Sequence, residues 1–248
     1  MNGDLRIYRG DYMKRISKNE LIEMLANRKN CAEGIYSFNK IMIEDEDLSD
    51  MDLSGIDFSW SNFKNVNFER CNMSKAVFNH SKFTASNLKE ARLDFASLFG
   101  VDLRGCNMEN TYCDGVDFTE ALLVGAKLNG LKYTENTIHF DIHCPKEGYF
   151  FGYKKCFNDR MVKLLIPKDA KRCSSTTTAC RCDKAKVVEI TDIERKVCFD
   201  EAVSFVDESF IYRLGEMVYA NSYHEDRWLD SSYGIHFWMT FEEALGYM

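Results

Sequence analysis

From Leu48 to Leu128 a large apolar residue returns at every fifth position: Leu48, Leu53, Phe58, Phe63, Phe68, Met73, Phe78, Phe83, Leu88, Leu93, Leu98, Leu103, Met108, Cys113, Phe118, Leu123 and Leu128. Cys113 alone departs from Leu, Phe or Met. Two residues before most of them stands a smaller or β-branched residue, such as Ser61, Val66, Cys71, Ala76, Ser86, Ala96, Cys106, Thr111 or Val116. Two positions in every five therefore point inward. An amphipathic helix needs apolar spacings of three and four, and a half-buried strand needs strict alternation, so this period fits neither. It demands a corner in each unit.

The flanks follow other patterns. Ser17 and Glu20 form a capping box ahead of Leu21, Ile22, Met24 and Leu25, which predicts a helix over about residues 17–29. Ile35 to Ile41 reads as a strand leading into the repeat. An open end of stacked strands exposes unpaired backbone, and the helix is expected to cover it. Beyond Leu128 the period fades. Short β-rich runs follow at 149–153, 161–166, 185–190, 210–214 and 234–239, and Thr240 caps a terminal helix over Phe241 to Tyr247. The expected organisation is an amino-terminal cap (1–40), the repeat (41–133) and a small α+β carboxyl domain (134–248), in a chain that is mainly β.

Units such as Cys71-Asn72-Met73-Ser74-Lys75, Ser86-Asn87-Leu88-Lys89-Glu90 and Val101-Asp102-Leu103-Arg104-Gly105 resemble the pentapeptide-repeat family. That resemblance implies a right-handed quadrilateral β-helix, four pentapeptides to a square coil, with residues twenty apart stacked. Columns such as Leu48, Phe68, Leu88, Met108 and Leu128 would then fill the interior. Outside them, Asp47, Asn67, Asn87 and Asn107 would form a ladder of turn-capping side chains. The segments 166–172, 181–187 and 234–238 are similar to a domain of unknown function found behind pentapeptide repeats in phage, bacterial and giant-virus proteins. The similarity brings no activity with it, but it favours a phage or viral source.

Composition narrows the choice of partner. With 29% charged residues, no membrane-length apolar run and no secretory leader, the chain reads as a cytoplasmic globular protein. Residues 1–40 carry 8 Lys/Arg against 5 Asp/Glu, residues 41–133 carry 9 against 15, and residues 134–248 carry 15 against 19, giving nets of +3, −6 and −4. An acidic repeat is a poor direct ligand for nucleic acid, whose affinity comes from Lys and Arg at phosphates. Several pentapeptide-repeat proteins instead resemble duplex DNA and occupy the DNA-binding saddle of type II topoisomerases. The resemblance thus implies a non-enzymatic inhibitor of a bacterial nucleic-acid-acting protein, such as a topoisomerase or a defence nuclease of the CRISPR type. Its acidic surface would comprise Asp45, Asp47, Asp50, Asp52, Asp57 and Asp117.

Apolar residues at outward positions mark a second surface: Trp60, Val77 and Phe99 on one side, Phe95 and Tyr112 on the adjoining one, with Leu122 and Val124 beyond. Such a patch usually marks an interface. Its expected occupant is the chain's own carboxyl domain, a second copy in a homodimer, or a foreign target.

Cys71, Cys106 and Cys113 fall at inward positions and read as buried thiols. The other cysteines lack paired Cys-x-x-Cys spacing, so neither Cys173 with Cys180 and Cys182 nor His139 with His143 and Cys144 makes a zinc pattern. No metal or cofactor is expected. Any catalysis or small-ligand binding would centre on His224, Arg227 and His236, with Asp230 and Tyr233 nearby, since a histidine beside Asp and Arg has the makings of an acid or base. No phosphate loop or nucleophile elbow accompanies them, and a purely structural or assembly role is the third reading.

Overall fold

The computed structural model describes residues 13–27, 36–230 and 232–247. Cys31, the helix end expected at 28–29 and the strand start at Ile35 lie outside the described residues. The residues up to Ile138 make one compact unit and those from His139 on make another.

The regular elements of the first unit are β1 (Lys14–Arg15), α1 (Lys18–Asn27), β2 (Tyr36–Ser37), β3 (Ile41–Glu44), β4 (Ile56–Asp57), β5 (Asn62–Lys64) and β6 (Lys82–Thr84). β1, β3, β5 and β6 form a parallel sheet, and β2 pairs with β4. Past these strands the pairing continues as isolated parallel bridges between residues twenty apart. One ladder runs Asp47, Asn67, Asn87, Asn107, Lys127; a second Asp52, Asn72, Arg92, Tyr112, Lys132; a third Asp57, Val77, Ser97, Asp117. A fourth extends β6 through Lys82, Asp102 and Leu122.

Each pentapeptide supplies the same five environments. In Val66-Asn67-Phe68-Glu69-Arg70, Val66 and Phe68 are buried and Asn67 bridges to its neighbours, while Arg70 takes a positive φ of 58°. The same left-handed corner recurs every five residues, at Asp50, Trp60, His80, Phe95 and Gly115 among others. For a residue with a Cβ this conformation costs about 1–2 kcal/mol. Backbone pairing on both sides of each corner offsets it: Leu48 N–H donates to Asn67 O at 2.8 Å and Asn67 N–H to Glu46 O at 3.0 Å.

The interior is filled as the period requires. Leu48, Phe68, Leu88 and Met108 are at most 1% exposed, whereas Leu128, at the end of that column, is half-buried. Buried hydroxyls and thiols in the small positions are satisfied by carbonyls 23 residues back: Cys71 Sγ donates to Leu48 O, Ser81 Oγ to Phe58 O and Thr111 Oγ1 to Leu88 O, at 2.7–2.9 Å. Cys71, Cys106 and Cys113 are buried free thiols. The side-chain ladder is present, with Asn67 Nδ2 donating to Asp47 Oδ1 and Asn87 Nδ2 to Asn67 Oδ1, each at 2.9 Å. The period slips at its end, where Asp117 pairs with Ile138, 21 residues on. At the other end, Glu20 closes the capping box on Ser17 and Leu21 of α1 is fully buried.

The second unit contains β7 (Phe150–Cys156), β8 (Arg160–Ile166), β9 (Arg172–Ser174), β10 (Cys180–Cys182), β11 (Lys184–Asp192), β12 (Glu201–Val203), β13 (Ile211–Arg213), β14 (Met217–Tyr219), β15 (Ile235–Phe237) and α2 (Phe241–Gly246). It makes a four-stranded antiparallel sheet in the order β14-β11-β8-β7, a three-stranded sheet β15-β10-β9 and the hairpin β12-β13. The β7–β8 hairpin turns through Asn158 and Asp159, both at positive φ as a primed turn requires. Phe237, Val187, Leu164 and Tyr212 lie in its core. The one helix among the described residues of this unit is α2, six residues long, at the position expected after Thr240. The unit's runs are short and β-rich and carry no sustained 3.6-residue pattern. Thr240 and Glu243 form a complete capping box on α2. No helix among the described residues is long and apolar enough to cross a membrane.

Candidate functional site

Several outward-facing aromatic residues of the repeat unit flank one ladder. The Asp57–Val77–Ser97–Asp117 ladder runs between a corner column containing Phe95 and another containing Trp60 and His80. Trp60 is 53% exposed and stacks on His80 with ring centres 4.3 Å apart, and Phe99 meets His80 edge-on at 5.2 Å. Phe95, 56% exposed, lies over Gly115, so close that a Cβ there would sit 2.4 Å from its ring. Val77 is half-buried between Asp57 and Ser97. Tyr112 stands on the neighbouring ladder, half-buried between the guanidinium of Arg92 and the ammonium of Lys132. His80 escaped the sequence reading; its signal was its place twenty residues after Trp60.

The acidic side chains are held by the turns they cap. Asp47 accepts from Ser49 N–H, Asp52 from Ser54 N–H, Asp57 from Ser59 N–H and Asp117 from Thr119 N–H, at 2.8–3.1 Å. Asp45 accepts from Asn65, and Asp50 takes a two-pronged contact from Arg70 at 2.7 and 2.8 Å. The Ser49 N–H holds the Asp47 carboxyl below its ordinary range, and the Arg70 guanidinium does the same for Asp50. All six carboxylates thus brace the repeat.

In the carboxyl unit the residues anticipated for chemistry part company. Arg227 donates to the carbonyls of Phe140, Ser174 and Ser175 and stacks on Trp228. His224 Nδ1 accepts from Asp226 N–H within the same loop. Arg181 of β10, almost wholly buried, gathers that loop by donating to the carbonyls of His224, Asp226, Leu229 and Asp230.

His236, Tyr233 and Asp230 instead meet at a two-lobed cavity. One lobe, about 290 Å³, is lined by Val206, Phe210, Tyr212, Tyr233 and Ile235; the other, about 250 Å³, by Ala179, Asp230, Trp238 and Tyr247. Lys154, Val206, Ser232 and His236 line both. Burial pushes the Lys154 ammonium below its ordinary pKa, and burial together with the Lys154 charge lowers His236. Lys154 was not singled out from the sequence, although it shares the inward phase of β7 with Gly152 and Cys156.

The Cys180 thiol, with Arg172 and Arg227 nearby, holds Cys144 below the ordinary thiol range, while Cys180 is pushed up. His143 Nε2 meets Glu243 at 3.1 Å. Among the described residues no three His, Cys, Asp or Glu side chains converge as a metal site.

Comparison with known proteins divides along the same line. Residues 52–89 and 96–130 match the pentapeptide-repeat model, in eight copies. Residues 140–244 match a family of unknown function, DUF5758. No curated protein matches the chain. Among solved structures, a pentapeptide repeat protein from the Arabidopsis thaliana thylakoid lumen is 26% identical over 36% of this chain and 66% of its own, with a TM-score of 0.31. A pentapeptide repeat protein from Nostoc Pcc 7120 is 21% identical over 52% of this chain and 91% of its own, at 0.28. QnrB1, a plasmid-mediated fluoroquinolone resistance protein, is 19% identical over 48% of this chain and 67% of its own, also at 0.28.

Proposed function

We propose that the repeat unit is a non-enzymatic interaction module that docks onto the basic, nucleic-acid-binding surface of another protein. The observation that carries this is the pair of outward aromatic groups flanking one ladder, Trp60 and His80 with half-buried Phe99 on one side and Phe95 on the other, with the carboxylates of Asp57 and Asp117 on the ladder itself. An apolar centre with an acidic rim complements a surface whose rim is Lys or Arg. Tryptophan at such a centre contributes disproportionately to affinity. The four ladders would close as a right-handed quadrilateral coil, with α1 capping its first rung, so the docking face would be rigid before it meets its partner. The form of activity we put forward is inhibition of a bacterial topoisomerase or defence nuclease by a phage-borne protein that occupies its DNA channel.

The test is retention of such an enzyme on the tagged full chain at low and high salt, with duplex DNA as competitor. Wild type should retain it at low salt and release it to DNA or to high salt. Asp57→Asn with Asp117→Asn, which preserve the turn caps, should weaken retention about tenfold at low salt, and Phe95→Ala with Phe99→Ser should abolish it. Retention indifferent to both pairs would refute the assignment of this face.

A further inference from the structure

The carboxyl unit holds a buried amine, Lys154, on the wall of a cavity. Lys154 is 5% exposed on the inward side of β7. Among the described residues its ammonium has no salt bridge and no hydrogen bond. The carboxylates of Asp207 and Asp230 line the lobes that Lys154 lines, but neither forms a salt bridge with it, and its neighbours in the core are neutral. The thiols of Cys156 and Cys182 and the phenol of Tyr212 are all pushed upward by burial, Cys156 to about 12.

The walls around it are those of a small-molecule site. Val206, Phe210, Tyr212 and Ile235 supply an apolar lining. Ser232 lines both lobes with a buried hydroxyl that has no partner. His236 lines both lobes, with its Nε2 3.5 Å from the carbonyl oxygen of Asp230.

We propose that this cavity binds a small apolar aldehyde or ketone and holds it as a Schiff base on Lys154. The Lys154 nitrogen attacks the carbonyl carbon, and one of its protons passes to the carbonyl oxygen through His236. The carbinolamine then loses its C–O bond: the hydroxyl leaves with a second proton as water, and the nitrogen lone pair forms C=N. No oxidant or reductant enters. Desolvation favours the neutral amine, the nucleophilic form, over the ammonium. An ammonium kept charged to clamp an anion would call for a polar, hydrogen-bonded setting, and the cavity is mainly apolar.

The test is reductive trapping on the full chain with benzaldehyde and cyanoborohydride at pH 7, followed by peptide mapping of every lysine. Lys154 should be alkylated measurably faster than the exposed Lys146 and Lys196, because burial lowers its pKa and leaves more of it as free amine at pH 7. Its rate should level off at a lower pH than theirs. The groups facing it that enter this profile are Asp207, Asp230, Tyr212, Tyr233, His236, Tyr247 and the thiols of Cys156 and Cys182. His236→Asn should slow trapping at Lys154 and leave the surface lysines unchanged. Lys154 reacting no faster than Lys146 and Lys196, or failing to react while they do, overturns the proposal. Neither result bears on the docking face of the repeat unit, which contributes nothing to this cavity.

Discussion

Phe63 is the point where the interior of the repeat unit is most densely knit, and Phe63→Ala is its sharpest test. The ring is 1% exposed and lies 5.6 Å from Phe58, 5.3 Å from Phe68, 6.0 Å from Phe78 and 4.8 Å from Phe83, centre to centre. Truncating a buried Phe costs about 3–5 kcal/mol in transfer and cavity terms. Four aromatic neighbours, each worth about 0.5–1.5 kcal/mol beyond buried area, place this site at the upper end. Backbone pairing above and below, to Ile43 and Phe83, resists collapse of the hole. The expected loss is therefore about 5 kcal/mol in urea unfolding followed by near-ultraviolet circular dichroism. Stacked repeats transmit energy chiefly to their neighbours, so amide exchange should accelerate first at residues 41–44, 62–64 and 82–84, ahead of the far end at 122–132. Phe95→Ala, at a half-exposed corner, should cost less than about 1 kcal/mol. A loss below about 2 kcal/mol for Phe63→Ala, or equal acceleration at both ends, would refute the picture of a nearest-neighbour stack with its keystone here.

Three further outcomes are expected. Asp47, Asp50 and Asp102 have folded-state pKa values below their unfolded ones, through the Ser49 N–H, Arg70 and Arg104 respectively. Their stabilisation is therefore present above the unfolded value and is lost as pH falls through the lowered folded values, so urea midpoints should hold from pH 7 to about 5 and drop below about 4, and less steeply in Asp102→Asn. Gly105 and Gly115 share a left-handed corner, at φ +70° and +63°, but a Cβ on Gly105 meets nothing within 4 Å whereas one on Gly115 strikes Phe95. Gly105→Ala and Gly115→Ala should each cost about 1–2 kcal/mol in thermal unfolding, and Gly115→Ala alone should displace Phe95 and weaken partner retention. Among the nine described cysteines, Cys198 is exposed while burial pushes Cys71 to about 11 and Cys106 to about 12. Iodoacetamide at pH 7.5 should label Cys198 within minutes and spare Cys71 and Cys106 until urea unfolds the repeat.

The sequence by itself determined the interior of the first unit. A five-residue period admits one phase, so Leu48 through Leu123 and the small residues before them had to be inside, and Cys71 and Cys106 followed as buried thiols. The Asp47–Asn67–Asn87 ladder was legible for the same reason, because a fixed repeat carries local turn chemistry into long-range register. The fold of 139–247 was less legible. Its strands showed as β-rich runs, but antiparallel pairing between runs as distant as Arg181 and His236 depends on side-chain packing that no local period records. Tertiary structure alone decided how polar residues are used. Arg227 and His224, promising in sequence, serve backbone groups of their own loop and its neighbours, since a buried carbonyl must find a donor wherever the chain places one. Lys154, one lysine among ordinary ones, became the unpaired amine of an apolar cavity because β7, β13 and β15 close around it, and burial, a property of the assembled fold, is what shifts a pKa.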